Sequence, residues 1–140
     1  MQDIVKAGQE NTQRIIVEKR QTIAFLGEDS RVYSTPSMLH DIEVTSHDLI
    51  KRCQGEGEDS VGMSATVNHL AATPLGMWVD LTVRITAVSG RKVDLEFECC
   101  DASGVVANGV HSRFMVNMEK TAGQIRAKAE KYRGPVQTDH

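Results

Sequence analysis

Thr35, Glu43 and His69 each combine a reactive side chain with a setting that could put it to use. Thr35 stands before Pro36 at a helix-start signal, Glu43 follows eight positions later, and His69 closes the alternating row Val61, Met63, Ala65, Val67. A carboxylate serves as nucleophile or general base, and an imidazole holds such a carboxylate or shuttles a proton to a leaving group or attacking water. A helix start offers unpaired N–H groups and the positive end of its dipole to an oxygen gaining negative charge. Pro36 donates nothing, which leaves the N–H groups of Ser37 or Met38, or the Thr35 hydroxyl, as donors. Gly62, without a side chain, lets another backbone group approach closely. Singly, each residue also has an ordinary reading: a plain N-cap for Thr35, a solvated helix face for Glu43, a satisfied strand-end histidine for His69. Eight residues of helix span about 12 Å, so Thr35 and Glu43 of one chain cannot grip the same carbon. Two such helices lying antiparallel across a twofold axis would bring Glu43 of one copy to the Thr35 end of the other.

Other polar residues carry weaker signals. His111 and Arg113 share a strand parity opposite to the more apolar row Val106, Val110, Phe114 and Val116, so without a bulge Arg113 points away from its own core. His40 and His47 lie seven apart on one helix face, whereas a metal site wants i, i+4 and further ligands; no metal site is expected. Cys53, Cys99 and Cys100 form an odd set with no C-x-x-C spacing and read as free thiols. Arg91, Lys92, Lys120, Arg126 and Lys128 are candidates to meet phosphates, though each also reads as surface charge.

With 140 residues the chain is read as a single domain, and folding at this size buries on the order of 68% of the extended-chain surface. A net charge of −3, with no basic run interleaved with aromatics, argues against nucleic acid. Met1 to Glu10 lacks the apolar stretch of a signal peptide, and no apolar run approaches the ~20 residues of a membrane span. No membrane association and a cytoplasmic location are therefore expected.

The elements that must hold these residues emerge from periodicity. Asn11–Val17 reads as a short first strand, and the charged stretch Glu18–Ser34 as a connection without regular structure. From Thr35, as N-cap with Pro36 in first helical position, Met38, Ile42, Thr45 and Leu49 make a helical stripe that Leu39 and Ile50 widen. That helix should end near Cys53–Gly55. Ser60–Leu70, Met77–Ser89, Lys92–Cys100 and Val105–Met118 then alternate as strands separated by short turns, hence as antiparallel neighbours. Glu119–Tyr132 closes as a helix, stopped by Gly134-Pro135. The order predicts an α+β hotdog fold: one curved antiparallel sheet wrapped around a central helix, with the core at about 11–118 and the last helix at about 119–132. Because sheet and helix are both one-sided, a homodimer, or a dimer of such dimers, is expected.

The spaced residues Gly62-x6-His69-x-Ala71-Ala72-Thr73-Pro74-x-Gly76, then Val-Ser-Gly-Arg at 88–91, Gly-x-His-x-Arg at 109–113 and Met118-Glu119-Lys120, resemble the hotdog thioesterases of the fluoroacetyl-coenzyme A thioesterase family. The likeness runs from about Tyr33 to Lys120. It implies a catalytic Thr, Glu and His at Thr35, Glu43 and His69, a backbone role for Gly62, and a binding role for Arg113. It also implies an acyl-coenzyme A substrate, with coenzyme A as part of that substrate and no separate cofactor. In the fluoroacetyl-specific member, phenylalanines sit in a lid between the first strand and the helix. The matching segment here, Phe25–Tyr33, is shorter and more charged, so the general chemistry is implied without the fluoroacetyl preference. The expected activity is hydrolysis of a short-chain acyl thioester. The alternatives are a hotdog module that binds an acyl thioester or small ligand without turnover, and a hotdog dehydratase or hydratase.

Overall fold

The computed structural model describes residues 4–133. Its five-stranded antiparallel sheet is built from β1 (Glu10–Ile16), β4 (Glu58–His69), β5 (Trp78–Ser89), β6 (Lys92–Asp101) and β7 (Gly104–Asn117), in the order β1-β5-β6-β7-β4. Helix α1 (Thr35–Lys51) lies on one face of this sheet, against β4, β5 and β1. Helix α2 (Met118–Arg133) follows β7 directly and buries none of its residues. This is the hotdog arrangement that the alternation and turn spacing predict. The expected stop at Gly134-Pro135 lies outside the described residues. No helix among the described residues is long and apolar enough to cross a membrane.

The inner face arises from period-2 alternation. Val79, Leu81, Val83 and Ile85 of β5 and Val93, Leu95, Phe97 and Cys99 of β6 are all buried. They meet Met38, Ile42, Leu49 and Ile50 of α1, the stripe spaced for one helical face. Each fully buried side chain of this size contributes about 1.5–3 kcal/mol. Gly90, at φ +61°, opens the two-residue turn from β5 to β6, a backbone state that glycine adopts without strain. Several polar residues of α1 have specific partners. Asp41 accepts from buried Tyr33 Oη and from Gln21 Nε2, His47 Nε2 sits 2.6 Å from Asp59 Oδ1, and the Thr45 carbonyl accepts from Asn11 Nδ2 at 3.1 Å.

Several expectations need correction. The connection at 18–34 is not irregular throughout: β2 (Thr22–Ile23) and β3 (Val32–Tyr33) pair, flanked by short 3-10 turns, and Tyr33 and Gln21 are buried. The cap of α1 is Ser34, whose Oγ accepts from Ser37 N–H, with Thr35 already helical. The helix ends at Lys51 with Arg52 as its cap, ahead of the expected glycine.

Two register shifts matter most. Between Gly62 and Ser64 one residue, Met63, drops out of the pairing with β7; Val106 does the same opposite β6. Each extra residue reverses the parity of the strand beyond it. On β4, Gly62 pairs with Arg113, while Ala65, Val67 and His69 pair with His111, Gly109 and Ala107. Cross-strand partners share a face, so Gly62 and His69, seven positions apart, both turn inward, and Val61 pairs with Phe114 on the outer face. On β7, His111, Arg113 and Met115 are buried, whereas Val110 and Phe114 are exposed. Arg113 therefore points into its own core, contrary to the unbulged reading.

Candidate active site

The capping by Ser34 sets the chemistry at the tip of α1. Its Oγ takes the Ser37 N–H at 3.2 Å and its carbonyl takes the Met38 N–H at 3.0 Å. Both amides expected to face a ligand are thus committed, and the Thr35 hydroxyl is what the tip presents. Thr35 Oγ1 lies 2.8 Å from His69 Nδ1, at the end of β4. His69 Nε2 is buried and has no hydrogen-bond partner among the described residues. Burial holds this imidazole below its ordinary value, against an opposing pull from the Ala71 backbone. A neutral ring beside a hydroxyl can take up or relay a proton near neutral pH. A groove of about 340 Å³ runs past this pair, lined by Ile23, Val32, Tyr33, Leu70, Ala71 and Ala72 as well. Larger hollows lie at the C-terminal end of α1 and on the outer face of the sheet, and neither is lined by any of the five predicted site residues.

The second cluster sits at the other end of β4. Glu43 Oε2 is 3.5 Å from Arg113 Nη1, and the Glu43 side chain is 45% exposed in the single chain. A Cβ placed on Gly62 would overlap Glu43 Oε2 and stand 3.6 Å from Arg113 Nη1. Glycine at 62 is therefore the condition for the carboxylate to lie across the strand. Arg113 is anchored on its other sides: Nε donates to Ser60 Oγ and Nη2 to the Ser60 carbonyl, both at 2.9 Å, and Nη1 faces His111 Nε2 at 3.2 Å. His111 is 2% exposed, with Nδ1 2.8 Å from the Ser64 carbonyl. Burial keeps it below its ordinary value; the Ser64 carbonyl opposes this, Arg113 adds to it, and Glu43 opposes it.

The structure thus brings Thr35 to His69, and Glu43 to Gly62 and Arg113, but does not bring the two groups together within one chain. Ser60 and His111 belong to the second cluster and were not singled out as site residues from the sequence. The signal that could have found them is the odd separation of Gly62 and His69, which share a face only through a bulge. Of the basic candidates, Arg91 is engaged by Glu58 and the Met115 carbonyl, and Lys92 by Asp94. No group of three or more His, Cys, Asp or Glu side chains fit to hold a metal occurs among the described residues. Cys53, Cys99 and Cys100 are free, and burial pushes the Cys99 thiol up to about 12, far from a reactive thiolate.

Comparison with known proteins gives this geometry a family. The family model described as fluoroacetyl-CoA-specific thioesterase matches residues 17–119. A fluoroacetyl-CoA thioesterase of Streptantibioticus cattleyicolor is 27% identical over 135 residues, covering 91% of this chain and 97% of that protein. A solved structure of a fluoroacetyl-CoA thioesterase superposes with a TM-score of 0.81 at 26% identity, over 90% of this chain and 98% of the other. A hot-dog-like protein from Thermanaerovibrio acidaminovorans shares the fold with a TM-score of 0.80 at 24% identity, over 87% and 91% of the two chains. With the family match spanning most of its length and the same sheet-around-helix architecture, the chain belongs to the fluoroacetyl-CoA-specific thioesterase family.

Proposed function

We propose that this chain hydrolyses a short-chain acyl-CoA thioester to the free acid and coenzyme A, at a site completed by two copies. The acyl-CoA thioesterase activity rests on family membership and on the relatives' names. The division of labour rests on one observation: the site residues form two half-sites at opposite ends of β4. Seven strand residues span about 23 Å, too far for Glu43 and His69 of one chain to act on one carbon.

β4 is a free edge of the sheet, with Val61 and Met63 exposed, and Val44 of α1 is exposed as well. Antiparallel pairing of two such edges about Thr66, with Met63 again left out of the register, sets Gly62 of one copy opposite His69 of the other. Each twofold interface then yields two equal sites. In each, the Thr35 hydroxyl, at the positive end of the α1 dipole, receives the thioester oxygen as it gains charge. Glu43 of the other copy acts on the acyl carbon, either as nucleophile, forming an anhydride that water cleaves, or as base on the attacking water. The C–S bond breaks, and the thiolate takes up, relayed through His69, the proton that the water gives up as it cleaves the anhydride or attacks the acyl carbon. Arg113 holds the carboxylate.

Thiol release from a panel of acyl-CoA thioesters tests this reading. Hydrolysis of short acyl groups is expected, with a loss of about 10²–10⁴-fold in Glu43→Ala and His69→Ala proteins that stay dimeric. The part-exposed Glu43 favours one second reading, a module that binds an acyl thioester without turnover. It requires ligand-dependent thermal stabilisation with no thiol released by the wild type.

A further inference from the structure

We propose that His111 is a positioning residue whose Nε2 lone pair orients the Arg113 guanidinium so that Nη1 presents its second proton to Glu43. The proposal deepens the hydrolase reading above and rests on Glu43 being its reacting carboxylate.

Hydrogen-bond partners assign the tautomer. The Ser64 carbonyl, 2.8 Å from Nδ1, can only accept, so Nδ1 carries the proton. Arg113 can only donate, so Nε2, 3.2 Å from Nη1, must be a bare lone pair. The opposite tautomer would set lone pair against carbonyl and N–H against N–H at once, and the doubly protonated ring would set two cations in contact. One arrangement satisfies both neighbours: a neutral ring protonated at Nδ1.

The arrangement runs outward to Glu43. Ser60 takes Nε and Nη2, His111 takes one Nη1 proton, and the remaining Nη1 proton is the one directed at Glu43 Oε2, 3.5 Å away. Glu43 itself is half exposed, and a part-exposed ion pair does not fix a carboxylate on its own. Its placement comes from a partner that cannot move: a guanidinium 6% exposed and held on three sides. A buried arginine could be replaced by a well-packed apolar residue at no loss of stability. One that keeps a donor facing a part-exposed carboxylate is arranged for what that carboxylate does.

The test compares His111→Gln, whose side-chain carbonyl can take the place of Nε2 as acceptor, with His111→Leu, which has none. Kinetics on a short acyl-CoA and ¹⁵N NMR of the histidine rings in the ligand-free protein are measured together. His111→Leu should lose about tenfold or more in kcat, a part of the about 10²-fold that a full ångström's shift in a reacting group costs. His111→Gln should recover to within about threefold of wild type, a difference in free energy well under that of a lost contact. The His111 ring should show Nδ1 protonated and Nε2 unprotonated. Equal losses in the two variants, or none in either, overturn the proposal. So does an Nε2–H tautomer, which is read without substrate and without either variant folding. A wild type that releases no thiol sinks the hydrolase reading separately, and with it the role given to Glu43, whatever the ring tautomer.

Discussion

Gly62→Ala isolates the placement of Glu43 from the stability of the fold. The added methyl would overlap Glu43 Oε2 and come within 3.5 Å of its Cδ. The atom struck is the far end of a flexible side chain, so the strand need not move; the carboxylate must retreat by about 1 Å to reach ordinary contact. Gly62 has no positive φ, so alanine fits the backbone and restricts the unfolded chain, a gain of about 0.4–1 kcal/mol. Against this stands a part-exposed ion pair with Arg113, worth about 0–1 kcal/mol. The two nearly cancel, and the melting temperature should shift by less than about 5 °C. Activity should respond far more, because misplacing a reacting group by this distance costs about 10²-fold, or about 2.7 kcal/mol of barrier. Thiol release and thermal melting on the same preparation read both quantities. In a Glu43→Ala background, Gly62→Ala should cost nothing further, since the group it displaces is gone. Unchanged kcat/KM in the single variant, or an additive loss in the double one, would refute the placement.

The remaining expectations concern pH and the support of the helix tip. Burial depresses His69 and His111 in the folded state below their ordinary 6.5, so the folded protein binds these protons later than the unfolded chain does. Stability is therefore full above that value and falls as pH drops through the folded values. Urea unfolding across pH 4–8 should show this slope, and it should be shallower in His69→Ala. Activity should persist somewhat below pH 6.5 before His69 is protonated, as a rate profile of wild type will show. Tyr33→Phe removes the donor from half-buried Asp41, leaving Gln21 Nε2 as its side-chain partner. A lost hydrogen bond to a charged group should cost about 1.5–3 kcal/mol in urea unfolding.

Much of the fold was legible because it rests on repeating patterns. Val79 to Ile85 of β5 and the ten residues of β6 alternate without ambiguity on the face that meets α1, β5 keeping this parity as far as the register shift at Thr86, and the turn at Gly90 marks their hairpin. What could not be read is what one residue changes. Nothing in the types of Met63 or Val106 announces a bulge, yet each reverses the parity downstream. Reading β7 without its bulge turned Arg113 outward, with His111 on the same parity. The cap shows the same limit: Ser34 and Thr35 are both good cap formers, and only the reach of Ser34 Oγ to Ser37 N–H decides between them. That single step is what frees the Thr35 hydroxyl for His69. The separation of Thr35 from Glu43 was legible from helix length alone; the company each keeps was not.

Mixing two inactive variants tests the central claim most directly. Glu43→Ala and His69→Ala proteins are each purified, then combined under conditions that exchange subunits, and thiol release is followed. If each site draws Glu43 from one copy and His69 from the other, a mixed dimer holds one intact site and one doubly damaged one. With random exchange the mixture should recover about a quarter of wild-type activity. A mixture that exchanges subunits and stays as inactive as its parents would contradict a site built across two chains.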